Sequence, residues 1–172
     1  MSERGQADSL LEVVPYALWV CGVATPRGTT AIVVTWVSQL SFTPALVGIS
    51  LENGGAFLAA LLASGSFTLS VLPRDGGKEV AKRVLKAGAE PEEPSHASMF
   101  ERRDGWAEVP AGALGALYCS VVAKHECGDH TLVIGEVIRE ERWAGGSPLH
   151  LSDTGWKYRK PGPDSSTPTP KN

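Results

Sequence analysis

The chain has 172 residues, of which 42% are hydrophobic and 20% are charged, and its formal net charge is −3. This composition is typical of one globular domain with a substantial core, and it excludes an intrinsically disordered protein. The chain has no dense block of Lys and Arg, which argues against nucleic-acid binding, and its apolar run at residues 56–63 is too short to span a membrane.

Neither the N-terminus nor the cysteines indicate secretion. The first nine residues, MSERGQADS, are polar and carry charges of both signs, unlike a signal peptide. The three cysteines are odd in number and irregularly spaced, so they do not suggest a disulfide framework. We therefore predict a cytoplasmic protein with reduced thiols, in which residues 10–160 form a single domain and residues 1–9 and 161–172 are disordered tails.

The first predicted strand, residues 16–24 (YALWVCGVA), is apolar on both of its faces. A half-exposed strand would alternate with polar residues, so this strand needs cover on both sides. We expect a second subunit to cover Trp19, Cys21 and Val23, which indicates a homodimer.

A turn at residues 25–28 leads into the stretch 30–51, which we interpret as two strands, 30–40 and 45–51, joined near Pro44. The first strand of this pair is β-branched and apolar, as a buried strand would be, yet polar side chains are mixed into it and follow it. These side chains either bond to neighbouring backbone or line a site for a polar ligand. They are Thr35, Ser38, Gln39 and Ser41.

The middle of the chain predicts a helix at 56–63, a strand at 66–72 and an amphipathic helix at 77–87. The buried side of the second helix should carry Val80, Ala81, Val84 and Leu85. Residues 89–112 are rich in charges and prolines, and we interpret them as an irregular segment, either a lid or a contact with a second subunit.

Two long strands, 114–127 and 130–143, follow and are joined by a tight Gly128-Asp129 turn. Short pieces at 147–151 and 156–158 precede the C-terminal tail. Six or seven strands in sequential hairpins, with about two helices, predict a mainly β, antiparallel barrel with helices packed outside it.

Several common signatures of chemistry are missing, including the phosphate-binding GxxxxGK[ST], the dinucleotide-binding GxGxxG and the nucleophile motif GxSxG. His130 stands out because it begins a strand just after a turn, where a side chain can point into a site, or where Asp129 or Glu136 merely holds it in place. A metal site could also be considered at Cys119, His125, Cys127 and His130. Because that spacing matches no common zinc pattern, we predict no metal and structural cysteines.

Four stretches resemble, in the same order, the flavin reductase-like family of FMN-binding split barrels. They are WVSQLSFTP at 36–44, SGSFTLSVL at 64–72, GDHTLVIGEV at 128–137 and PLH at 148–150, and the GDHxxxxGEV hairpin is the most specific. The resemblance covers about residues 15–158. It implies an antiparallel split β-barrel that forms a homodimer, with FMN, or alternatively FAD, in a groove near the dimer interface.

The resemblance also implies which residues form the site. His130 would face the nicotinamide or the flavin and have the catalytic role, while the second strand and the loop before the first helix would hold the flavin. This chain departs from the family at two places. The family often has Thr-Ala-Ser where this chain has Val33-Val34-Thr35. It also often has hydroxyl or basic side chains before the first helix to bind phosphate, and here glycine N–H groups could replace those side chains. The implied cofactor-binding residues are Val33, Val34, Thr35, Trp36, Ser38, Gln39, Asn53, Gly54 and Gly55.

The resemblance therefore implies an FMN-binding NAD(P)H:flavin oxidoreductase that passes a hydride from NAD(P)H to flavin, for a partner oxygenase or another electron acceptor. One alternative is a flavin-binding electron carrier or sensor without NAD(P)H activity. Another is a split-barrel dimer that binds a non-flavin ligand, which the departures at Val33-Val34 and Gly54-Gly55 permit.

Overall fold

The computed structural model describes residues 10–87, 100–103 and 105–156. The predicted tails, 1–9 and 161–172, residues 89–99 and 104 of the predicted irregular segment, and residues 157–158 of the predicted piece 156–158 lie outside the described residues. Within the described part the chain is mainly β, with antiparallel sheets, three α-helices and one short 3-10 helix. None of these helices is long and apolar enough to cross a membrane.

The predicted strands and helices appear in the predicted order. The structure adds two strands in the segment predicted to be irregular, divides the predicted strand 30–40 into two, and adds short helices near both ends of the described chain. The strands are β1 Trp19–Thr25, β2 Gly28–Val34, β3 Val37–Ser41, β4 Leu46–Glu52, β5 Ser66–Val71, β6 Phe100–Arg103, β7 Trp106–Pro110, β8 Gly115–Cys127 and β9 His130–Arg142. The helices are the 3-10 helix Leu10–Val13, α1 Ala56–Ser64, α2 Gly77–Ala87 and α3 Leu151–Thr154.

Seven strands form one antiparallel sheet in the order β2-β1-β5-β8-β9-β4-β3. The two edge strands, β2 and β3, are consecutive in the chain and are separated only by Thr35 and Trp36. Three peptide steps reach about 11 Å, whereas seven flat strands span about 29 Å from edge to edge. The sheet must therefore curl until its two edges approach each other.

The interpretation of residues 30–40 as one strand is wrong, because the chain leaves the sheet at Thr35. The Val37 N–H donates to the Thr35 carbonyl at 3.0 Å, which closes a tight turn. The Ser50 N–H then donates to the Trp36 carbonyl at 3.1 Å, which begins the pairing with β4. Neither Gly nor Pro marks this break, so the continuous β-branched sequence conceals it.

Strand β1 is covered on both faces within the single chain. Cys21 and Val23 are fully buried in an inner core with α1, β5 and β9, and Leu18 and Val20 are buried in an outer core with α2. The expectation that a second subunit must cover Cys21 and Val23 is therefore wrong. Trp19 is half-buried and packs against the inner core.

The segment predicted to be irregular contains the hairpin of β6 and β7, which packs on the outside of the sheet. A Cβ atom on Gly22 of β1 would lie 3.2 Å from the carbonyl oxygen of Glu108, so glycine is what allows β7 to approach. The Glu108 N–H donates to Thr29 Oγ1 at 2.9 Å. The described part of this segment is thus regular structure, and the alternation in WAEVP at 106–110 was its signal.

Both long helices form where the sequence predicts them. Helix α1 ends at Gly65, which adopts a left-handed conformation with φ of 70°. Helix α2 buries Val80, Ala81 and Val84 as predicted, but Leu85 is 56% exposed. The prediction for Leu85 is wrong because the packed stripe of this helix is narrower than its apolar sequence suggests.

Gly135 in β9 leaves almost no room for a side chain. A Cβ atom there would lie 2.5 Å from Cζ and 2.8 Å from Cε1 of Phe67, and 3.0 Å from Cβ of Cys119. Phe67 and Cys119 are both buried in the inner core and cannot move without disturbing it. The glycine of the GEV sequence is therefore required by packing.

We expect Gly135→Ala to lower the free energy of unfolding by about 1–3 kcal/mol, because it overpacks the inner core. Gly145→Ala is the matched control, since a Cβ there meets nothing within 4 Å among the described residues, and it should change stability by less than about 0.5 kcal/mol. Urea denaturation of both variants measures the difference. Equal stability of the two variants would contradict this account of Gly135.

Candidate functional site

Four of the predicted site residues come together at one end of the curled sheet. Trp36 lies just before β3, Asn53 and Gly54 lie just after β4, and His130 begins β9. The antiparallel register places Glu52 opposite His130, and the Trp36 carbonyl bonds to Ser50 of the same strand. Residues that are distant in sequence therefore share one strand end.

Trp36 and His130 are in ring contact. Their centroids are 4.7 Å apart with an interplanar angle of 47°, and Trp36 remains 36% exposed. His130 Nδ1 lies 2.7 Å from Asp129 Oδ1, and because an ionised carboxylate only accepts, the ring donates from Nδ1. Nε2 is then the ring nitrogen left for a ligand.

Asn53 connects the β4–α1 loop to the β8–β9 turn through three hydrogen bonds. Its Nδ2 donates to the Gly128 carbonyl at 2.9 Å, and its backbone N–H donates to the Asp129 carbonyl at 3.0 Å. Its Oδ1 accepts from Thr131 Oγ1 at 2.7 Å. The side chain that was predicted to bind cofactor is therefore engaged by the protein at both ends of its amide.

Helix α1 starts beside this cluster with an open N-terminus. Gly55 is its N-cap in extended conformation, and no side chain of the described residues caps it. Gly54 has φ of 75°, and a Cβ there would meet nothing within 4 Å in the described part of the chain. An uncapped helix N-terminus preceded by two glycines presents backbone N–H groups suited to an anion.

The remaining predicted residues on this side of the sheet lie on β2, in the link between β2 and β3, and on β3. Val34 is buried in the inner core, Val33 packs against the outer core, and Thr35 is buried at the crossing between the two strands. On the exposed β3, Ser38 Oγ donates to the Gln39 carbonyl at 3.2 Å and Gln39 Nε2 donates to the Ser41 carbonyl at 3.4 Å. These two polar side chains thus bond to neighbouring backbone, which was one of the two alternatives.

Pockets open at the opposite end of the sheet from His130. One has a volume of about 570 Å³ and a second, of about 350 Å³, shares Trp19, Leu117 and Glu140 with it. Gln39 lines the second pocket. The second pocket is also lined by Val37, the residue after Trp36, whereas neither Trp36 nor His130 lines either of the two pockets.

Two residues that hold the turn were not among the predicted site residues. The sequence analysis gives Asp129 only the role of a support for His130 and gives Thr131 none, whereas the structure bonds Asp129 to His130 and Thr131 to Asn53. Both belong to the GDHT sequence at 128–131, so the hairpin motif was the available signal. Nothing local in the sequence indicated that their partner would be Asn53.

The residues considered for a metal site do not converge. Cys119 is buried, and burial raises the pKa of its thiol to about 12. Cys127 is exposed, with its thiol donating to the His125 carbonyl at 3.6 Å, while His130 turns to Asp129. The described residues contain no group of three His, Cys, Asp or Glu side chains that could hold a metal ion.

Comparison with known proteins identifies the family. The sequence model of the family described as "Flavin reductase like domain" matches residues 11–155. An NADH-dependent FAD reductase of Streptomyces globisporus is 33% identical over 151 residues, which are 84% of this chain and 77% of that protein. The reductase component of the 4-hydroxyphenylacetate 3-monooxygenase of Thermus thermophilus is 32% identical over 131 residues, covering 76% of this chain and 78% of the relative.

Solved structures support the fold. A Streptomyces globisporus NADH:FAD oxidoreductase in complex with NAD and FAD fragments matches with a TM-score of 0.72 and 23% identity, over 91% of each chain. The curled sheet with its external helices is therefore an architecture already known among flavin reductases.

The three thiols should differ sharply in reactivity. Cys21 and Cys119 are buried, and burial raises the pKa of both thiols, so neither should react with an aromatic disulfide reagent in the native protein. Cys127 should react, giving one thiol per native chain and three after denaturation. Cys127→Ser should abolish the native reaction. Release of more than one equivalent from native protein would contradict the described burial.

Proposed function

This chain belongs to the family of flavin reductase like domains, and from that premise we propose that it is an NAD(P)H-dependent flavin reductase. It transfers a hydride from NAD(P)H to a flavin, FMN or FAD. Two of the relatives are named as NADH-dependent reductases, so NADH is the donor to test first.

The observation that supports this function is the convergence of three elements at one strand end. An exposed aromatic ring, Trp36, contacts the imidazole of His130, and the open N-terminus of α1 lies next to them through Asn53. Together they offer a flat apolar surface, a hydrogen-bonding ring nitrogen and backbone N–H groups for an anion. A phosphorylated, planar cofactor has need of all three.

Each element has a proposed role. The backbone N–H groups after Gly54 and Gly55 hold the flavin phosphate, and Trp36 packs against a ring of the cofactor. Thr35 and the backbone of Val33 and Val34, which lead into the crossing, border the flavin. A bound flavin supplies the redox chemistry by accepting the hydride.

His130 orients the hydride donor. Because Nδ1 is bonded to Asp129, Nε2 is free to bind the nicotinamide carboxamide or a ribose hydroxyl. Contact with Trp36 limits the rotation of the imidazole ring. Holding the donor in one orientation converts binding energy into rate.

The protein further acts as a homodimer of split β-barrels. The two-residue link between the edge strands supports a barrel, because it requires the sheet to curl. Large apolar side chains that remain exposed on β3, β8 and β9 support an interface there. These are Leu40, Val122 and Ile138.

The reduced flavin passes to a second protein, with a partner oxygenase as the first candidate acceptor. The Thermus thermophilus relative is named as the reductase component of a monooxygenase, which supports this role.

The protein acts in the cytoplasm. All three of its cysteines are free, which suits a reducing compartment.

His130→Ala should lower kcat/KM for NADH by at least about tenfold while changing the flavin Kd far less, because it removes a group that orients the donor. His125→Ala, an exposed histidine on β8, is the matched control and should behave as wild type. NADH oxidation at 340 nm with added FMN or FAD, and flavin titration by fluorescence, measure the two effects. A wild-type protein that neither binds flavin nor oxidises NADH or NADPH would refute the proposed function.

Light scattering should give about twice the chain mass of 18.2 kDa. Ile138→Lys, at a side chain that is 55% exposed on β9, should shift the protein towards the monomer because it places a charge in the proposed interface. Leu85→Lys, at an equally exposed side chain on α2, should leave the dimer intact. A wild-type monomer at micromolar concentration would refute the dimer.

A further inference from the structure

We propose that Asn53 is a positioning residue that fixes His130 and the N-terminus of α1 relative to each other. The inference rests on the proposed function for its effect on the reaction, but its structural part does not. The sequence analysis predicts that the Asn53 side chain contacts the cofactor directly. We propose that it acts through His130 instead.

Asn53 forms hydrogen bonds with residues on both sides of His130 in the sequence. On one side its N–H and Nδ2 bind the carbonyls of Asp129 and Gly128, and on the other its Oδ1 accepts from Thr131. These partners are the two residues before His130 and the one after it. The backbone of His130 is thereby held at both of its ends by a single residue from another loop.

The chemistry of the amide explains why asparagine suits this position. One planar group supplies a donor and an acceptor that point in different directions, which the two side-chain bonds require. Aspartate would keep the acceptor for Thr131 but would turn a carboxylate oxygen towards the Gly128 carbonyl. Alanine would remove both side-chain bonds and keep only the backbone N–H.

Loss of this connection should matter because two glycines follow Asn53, and glycine restrains the backbone less than any other residue. Asn53 is followed directly by Gly54 and Gly55, and Gly54 adopts a positive φ of 75° that suits glycine. The side chain of Asp129 is 89% exposed, so its bond to His130 is screened by solvent. The β4–β9 ladder pairs Glu52 with His130, and the Asn53 bonds extend this connection by one residue, up to the glycines that precede α1.

A double-mutant cycle tests whether Asn53 acts through His130. We expect Asn53→Ala to lower kcat/KM for NADH by about tenfold in the wild-type background and by less than about twofold in the His130→Ala background. A residue with a merely structural role would give the same loss in both backgrounds. Equal losses would overturn the proposal.

Hydrogen exchange tests the structural part without any activity. The β8–β9 turn, residues 126–132, should exchange roughly tenfold faster in Asn53→Ala and several-fold faster in Thr131→Val, because each loses restraining bonds. Thr25→Val is the matched control, since its hydroxyl donates to the Gly28 carbonyl at 2.7 Å in the β1–β2 turn, and it should leave the β8–β9 turn unchanged.

The two measurements separate the possible failures. Unchanged exchange in Asn53→Ala would overturn the connection itself, whatever the enzyme does. Faster exchange in Asn53→Ala, together with a wild-type protein that oxidises no NAD(P)H, would uphold the connection and refute the proposed function. Faster exchange with equal kinetic losses in both backgrounds would overturn the action through His130.

Discussion

The short link between β2 and β3 is the constraint on which the rest of the structure depends. Since only Thr35 and Trp36 join the two edges of a seven-stranded sheet, the sheet has an inside and an outside. The inside is filled by apolar side chains and closed by α1, and the outside is covered in part by α2 and the β6–β7 hairpin. The same link places Trp36 at the strand end where the β8–β9 turn begins.

The candidate site consequently lies in and beside the loops and turns that connect the strands, and not on the face of the sheet. Trp36 belongs to the edge crossing, Asn53 and the glycines belong to a strand-to-helix loop, and His130 is the first residue after a hairpin turn. The rigid sheet determines where these connections start, and hydrogen bonds between them determine their mutual positions. A site of this kind can change its ligand contacts without altering the core.

Much of the fold could be predicted from the sequence, because periodicity and turn residues are local signals. The β8–β9 hairpin and α2 were predicted on that basis, and the resemblance of GDHTLVIGEV led to the family. The crossing at Thr35 and the identity of the elements that cover β1 could not be predicted, since both depend on which strands become neighbours after the sheet curls. The bonds of Asn53 join residues more than 70 positions apart, so no sequence pattern could indicate them.

The two halves of the motif GDHxxxxGEV have different roles in the structure. Asp129 and His130 belong to the candidate site, whereas Gly135 is present because Phe67 and Cys119 leave no space for a Cβ atom. The two halves of the motif can therefore diverge independently during evolution. A relative that retains the glycine but has lost the histidine would keep the architecture, and only the first half of the motif should be used to infer catalysis.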